Sequence, residues 1–211
     1  MSASNELSSN QLSHKLMPWL VCFAASLFFF YEFIQGNMFA SINNEIMAAF
    51  NTDMLGTSWM SSMYYLANVV FLFPAGVVLD RYSTKTVILI SLMTCVIGTF
   101  LFSIADTYNF ALACRFVTGI GSAFCFLSCF RLASRWFPPQ RMALVTGLVV
   151  TFAMSGGMFA QGPLTSLVVE FGWRNALMLD GMLGMVIALL VYAFVQDNPS
   201  QRMAHLSKEP I

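Results

Sequence analysis

Six long apolar runs occupy most of this 211-residue chain, near 17–36, 57–79, 86–105, 109–130, 142–168 and 174–195. A helix needs roughly 20 apolar residues to cross about 30 Å of hydrocarbon, and each run meets that length. Lipid offers the backbone no hydrogen-bond partners, so each run must satisfy its own N–H and C=O groups as a helix. The expected fold is an all-α membrane protein of six transmembrane helices. Charged residues are only 9% of the chain, against about 25% in an ordinary soluble domain. The formal net charge of +0 leaves no electrostatic footprint for nucleic acid. The lipid bilayer is therefore the first partner the sequence implies.

The basic residues fix an orientation. With both termini cytoplasmic, Lys15, Arg81, Lys85, Arg131, Arg135, Arg141, Arg202 and Lys208 lie inside, eight of the ten basic residues, and only Arg174 lies outside. Arg115 falls within the fourth run. The outer loops instead carry Glu45, Asp53, Asp106 and Glu170. The chain divides into a polar cytoplasmic tail over 1–16, a six-helix unit over 17–196, and a cytoplasmic tail or start of a linker over 197–211. The first run is too long for a signal peptide and reads as an uncleaved span. The stretch from Asn37 to Asn51 suggests a helix that continues past the membrane or lies on its surface.

Enzyme chemistry finds no footing. The two histidines, His14 and His205, lie in the polar tails, so a buried Ser–His dyad, a haem site or a zinc motif is absent from the spans. Five cysteines without framework spacing argue against disulfides. Cys125 and Cys129 share a helix face but read as small hydrophobes. No metal and no cofactor is expected, and the chain is read as a non-enzyme. A channel would show polar stripes repeated along a pore, and none is evident.

The cytoplasmic loops carry the informative motifs. Between the second and third runs stand Gly76, Asp80, Arg81 and Lys85, spaced as in G-x-x-x-D-[RK]-x-G-x-[RK]-[RK], with Ser83 and Thr86 departing from the pattern. The fourth run carries Arg115, Gly119 and Gly121 as R-x-x-x-G-x-G. The next loop holds Arg135-Trp136-Phe137-Pro138 and Arg141. The fifth run holds Gly156, Gly157, Gly162 and Pro163, and Gly172-Trp173-Arg174 and Asp197-Asn198-Pro199 flank the sixth. In that order the motifs resemble those of the N-terminal six-helix half of a major facilitator superfamily transporter. The resemblance implies one half of a 3+3 inverted-repeat fold, located in a bacterial inner (plasma) membrane. It also implies that Gly76, Asp80, Arg81, Lys85, Arg131 and Arg135 form a cytoplasmic gate. Gly76 would bring helices close, and Asp80 would accept from Arg81, Arg131 or Arg135 or cap a helix. Gly157, Gly162 and Pro163 would kink the fifth span, as a hinge or as ordinary packing.

Three charges fall inside the apolar runs, where charge is costly and points to function. Glu32 lies about 22 Å from the cytoplasmic side, and Arg115 and Asp180 about 9 Å from the outer side, at 1.5 Å per residue. The resemblance places spans 1 and 4 on the central cavity, which makes Glu32 and Arg115 a cavity pair. Arg115 then binds a substrate carboxylate or tunes a protonatable Glu32; the alternative is a structural ion pair. Asp180 reads as a helix-end or interface residue. Tyr31 and Asn68 join Glu32 and Arg115 as candidates for substrate or proton contact, with Gln35, Asn37, Tyr64 and Tyr65 as further polar groups.

The resemblance implies alternating-access transport of a small organic solute: a short peptide, an amino acid or an organic anion. The span 1 texture is similar to the lysosomal dipeptide-transporter branch, with glucarate/hexuronate and sugar-phosphate anion porters as runner-up. The alternative is a truncated or split half-transporter, inactive alone, that acts with a C-terminal six-helix half or as a homodimer. Labelling from one side of the bilayer should reach Arg81 and Arg135 together; reactivity from opposite sides would overturn the topology.

Overall fold

The computed structural model describes residues 2–197, with side chains from Leu16 onward. His205, Arg202, Lys208 and the end of the Asp197-Asn198-Pro199 motif lie outside the described residues, as do the side chains of His14 and Lys15. The described chain is helical, with no strand. It runs α1 (Ser2–Asn37), α2 (Phe39–Phe50), α3 (Met54–Arg81), α4 (Thr84–Ser103), α5 (Tyr108–Ser122), α6 (Cys125–Trp136), a 3-10 turn (Pro139–Arg141), α7 (Met142–Gln161) and α8 (Pro163–Phe194).

Among the described residues, five segments are long and apolar enough to cross a membrane: Leu16–Asn37, Met54–Arg81, Thr84–Ser103, Tyr108–Trp136 and Pro139–Phe194. The last holds 56 residues, which as one straight helix would reach about 84 Å. It is not straight. Gly162 leaves helical geometry at φ −109 and ψ −84, and Pro163 opens α8 at a position where its missing N–H costs nothing. Gly172 then adopts φ 78, a left-handed value that favours glycine. The fifth and sixth apolar runs of the sequence both lie in this segment. The stretch after Asn37 is the short helix α2, whose Phe39, Ile42 and Ile46 are buried.

The fourth run is broken as well. α5 stops at Ser122 and α6 starts at Cys125, with Ala123 and Phe124 outside regular helix. Loop residues set the other boundaries. Asp53 caps α3 by accepting from the Gly56 N–H at 2.9 Å, and Ser83 caps α4 by accepting from Thr86 N–H at 3.4 Å.

Small residues let these helices touch, because lipid supplies no hydrophobic drive between apolar surfaces. A Cβ on Gly119 would strike the Tyr64 carbonyl and Ala67 of α3, and one on Gly121 would strike Ser91 and Cys95 of α4. α5 is thus wedged between α3 and α4. Gly156 of α7 meets the Phe30 carbonyl of α1 in the same way. Gly76 does not follow the expectation of close approach: nothing described lies within 4 Å of its would-be Cβ. Its face of α3 is open, flanked by Phe73 at 83% exposure and Val77 at 45%. Exposed apolar side chains such as Val69, Met158 and Val169 continue around the exterior, a surface matched to lipid rather than water.

Buried apolar side chains form two stacked clusters. One gathers Phe28, Leu92, Leu132 and Val191; the other gathers Ile34, Ile42, Phe102 and Leu177. Gly119→Ala should destabilise the protein by about 1–3 kcal/mol through overpacking. Gly147→Ala, where a Cβ meets nothing within 4 Å, should not. Thermal unfolding in detergent separates the two.

Candidate functional site

Two regions concentrate polar side chains, and they sit at different levels of the bundle. The first is a loop-end cluster. Asp80, at the end of α3, accepts from Arg131 of α6 at 2.8 Å. Arg135, one turn further along α6, pairs instead with Asp197 at 3.8 Å. Asp197 also accepts from the Lys85 backbone N–H at 2.8 Å and from the Ser83 hydroxyl. Of the two alternatives for Asp80, it takes the bond from Arg131, and Asp197 closes the start of α4 from the end of the sixth run. A carboxylate placed there meets unpaired N–H groups and the positive end of the helix dipole. Trp136 Nε1 donates to the Gln196 carbonyl at 3.0 Å, and the Lys85 ammonium lies 5.0 Å from the Tyr192 ring centre. Arg81 is exposed and makes none of the described ion pairs. Thus Asp80, Lys85, Arg131 and Arg135 converge with Asp197 at one end of the bundle, while Gly76 lies apart on an open helix face.

The opposite end has its own pair, Arg174 with Asp106 at 3.3 Å. There Arg174 also donates to the Ser103 carbonyl at 3.0 Å, and the Tyr108 hydroxyl donates to the Gly56 carbonyl at 2.9 Å.

The second region lies among the spans. Glu32, part-buried on α1, opens onto a cleft of about 290 Å³ lined by Phe29, Glu32, Phe33, Gly36, Asn37 and Tyr65. The Tyr64 hydroxyl of α3 donates to Glu32 Oε1 at 2.9 Å. The Tyr64 ring also meets Arg115, whose guanidinium carbon stands 4.5 Å from the ring centre. Arg115 is 1% exposed, so it sits behind the cleft wall rather than in it. It donates to the Gln35 carbonyl at 3.0 Å and lies 5.2 Å from the Phe39 ring. The described ion pairs do not include Glu32 with Arg115. The two charges are joined through Tyr64, which contacts both.

Tyr31 points away from the cleft. It is fully buried, donates to Thr99 of α4 at 3.3 Å, and packs where Gly184 of α8 leaves room. Asn68 donates to Ser122 at 2.7 Å, beside the break between α5 and α6. Gly157 faces Asn37, with 3.3 Å from its would-be Cβ to the amide nitrogen. Gly162 and Pro163 form the α7–α8 boundary. Sequence reasoning missed Thr99, which donates to Gln35 Oε1 at 3.0 Å. A threonine in an apolar helix commonly bonds its own backbone, so nothing in the sequence marked this one.

The profile of the Major Facilitator Superfamily matches residues 21–210. The chain belongs to that superfamily. It is 27% identical over 222 aligned positions to the probable galactarate/D-glucarate transporter GudP of Escherichia coli K12, covering 99% of this chain and 47% of that one. It is 25% identical over 141 residues to the hexuronate transporter of Bacillus subtilis, covering 66% of this chain and 33% of that protein. The chain thus spans a third to just under half of these relatives. A solved bacterial homologue of the human lysosomal transporter Spinster, inward-facing and unoccupied, matches at TM-score 0.71 and 18% identity over 87% of this chain and 44% of that one. That likeness concerns the fold. The superfamily fold, the apolar helices and these relatives make the chain a multi-pass membrane protein of a transporter family.

Asp197→Ala removes a helix cap and should lower stability by about 1 kcal/mol. Asp80→Asn removes only an exposed ion pair and should stay within about 0.5 kcal/mol of the parent. Comparing their melting shifts in detergent checks the ranking.

Proposed function

We propose that the chain serves a proton-coupled secondary transporter for a small organic anion, and that the Glu32 cleft faces the translocation path. The observation that carries this reading is Glu32 itself: a carboxylate open to a cleft in an apolar wall, held by one tyrosine hydroxyl and by no described cation. A carboxylate beside the path of an anion repels it. A proton taken up by Glu32 removes that repulsion and ties the movement of the solute to the movement of the proton. Relatives named for hexuronate, galactarate/D-glucarate and sulfoacetate support an anionic solute over a dipeptide. Arg115, buried behind Tyr64, then tunes the cleft rather than holding the solute carboxylate.

In this reading the Pro139–Phe194 segment crosses twice, which gives six spans over 17–196 in a 3+3 inverted repeat. Both termini and the Asp80–Arg131 cluster are cytoplasmic, in a bacterial inner membrane. Gly76, Asp80, Arg81, Lys85, Arg131 and Arg135 act as the gate, and Gly157, Gly162 and Pro163 allow the fifth span to flex. Alternating access needs two walls that rock about one central site. The opposing wall is a second six-helix unit, either a C-terminal half or a second copy of this chain.

Proteoliposomes carrying the assembled transporter should accumulate D-glucuronate or D-glucarate when the lumen is more alkaline than the outside. Glu32→Gln should abolish that accumulation, and Arg115→Ala should do the same without loss of membrane insertion. Full gradient-driven uptake by Glu32→Gln removes the proton role. Preferential uptake of dialanine reassigns the solute class.

A further inference from the structure

Asp180 belongs to neither the cleft nor the loop-end cluster, yet it is an acid 3% exposed within α8. Its Oδ2 accepts from Gln35 Nε2 at 2.5 Å, while its Oδ1 is buried without a hydrogen-bond partner. Gln35 is fully buried and touches both ends of a chain of polar groups. Its side-chain oxygen accepts from Thr99, which in turn receives the Tyr31 hydroxyl. Its main-chain oxygen accepts from Arg115. Arg115 Nε is also buried and unpartnered. One residue of α1 therefore stands between a buried acid from α8 and a buried guanidinium from α5.

A guanidinium in this position needs a compensating charge, because an isolated ion in a low-dielectric interior is strongly unfavourable. Glu32 is bound at the Tyr64 hydroxyl while Arg115 lies against the Tyr64 ring, and the described ion pairs do not join the two. Asp180 is reached through a single glutamine. We propose that Asp180, acting through Gln35, is the counter-charge that neutralises Arg115 inside the bundle, so that Glu32 remains the unpaired acid of the cleft. The last clause rests on the transport reading above; the pairing itself does not. In this arrangement α1, α5 and α8 are held at one level by a neutral polar cluster, and loss of one member leaves another exposed to an uncompensated field.

The test is a set of double-variant cycles read by thermal unfolding of the full chain in detergent. Asp180→Asn and Arg115→Gln should each lower Tm. The combined D180N/R115Q variant should recover at least half of the summed loss, because both charges leave together. Glu32→Gln combined with Arg115→Gln should show additive losses. Where a single variant fails to fold, recovery of a monodisperse peak in the D180N/R115Q double variant is the supporting result. Additive losses for D180N/R115Q, recovery by E32Q/R115Q instead, or failure of the D180N/R115Q variant to fold would each overturn the pairing. Uptake is not the readout, so a failed transport assay leaves this result standing.

Discussion

Every helix contact in this protein depends on how closely two backbones can approach in a medium that does not push them together. Lipid is as apolar as the side chains it surrounds, so contact must come from packing and from a few polar bonds. Gly119, Gly121 and Gly156 supply the approach. At each of them a neighbouring carbonyl or side chain occupies the space a Cβ would take. Once α5 is set between α3 and α4, Tyr64 is pressed against Arg115 and its hydroxyl reaches Glu32. The cleft follows from the glycines as much as from the residues that line it.

The polar groups inside the bundle then divide by position. Gln35, Thr99 and Asp180 fall near the changeover between the two apolar clusters and tie α1, α4 and α8 together. Glu32, three residues before Gln35 on α1, emerges on the cleft side. A helix turns about 100° per residue, so neighbours on α1 serve different faces. Tyr31 and Glu32 are adjacent in sequence, but one packs on Gly184 and the other borders the open cleft. The loop-end cluster uses the same economy of residues. Asp197 caps α4 and pairs with Arg135, which brings the end of the sixth apolar run onto the loop after the second.

Several elements were legible because they follow from local rules. Apolar runs of membrane-crossing length imply helices, and Pro163 after Gly162 implies a break. The spacing of Gly76, Asp80, Arg81 and Lys85 marks the loop that carries the superfamily resemblance. Other features were hidden because they depend on which faces meet. Gly76 looked like a contact glycine and lies on an open face. Thr99 looked like one more polar residue bonding its own helix, and beside the Cys95 carbonyl it also reaches Gln35 of α1.

The sequence by itself determined the solvent and the helical class, because lipid leaves the backbone only one local way to satisfy its hydrogen bonds in these runs, while its motifs carried the resemblance to the superfamily. It also determined that Glu32, Arg115 and Asp180 would fall within apolar membrane-length runs. Only the tertiary structure decided which charges meet. Sequence gives the depth of each group along its own helix, but not the rotation of that helix against its neighbours. That rotation puts Tyr64 in contact with both Glu32 and Arg115, and Gln35 in contact with both Arg115 and Asp180.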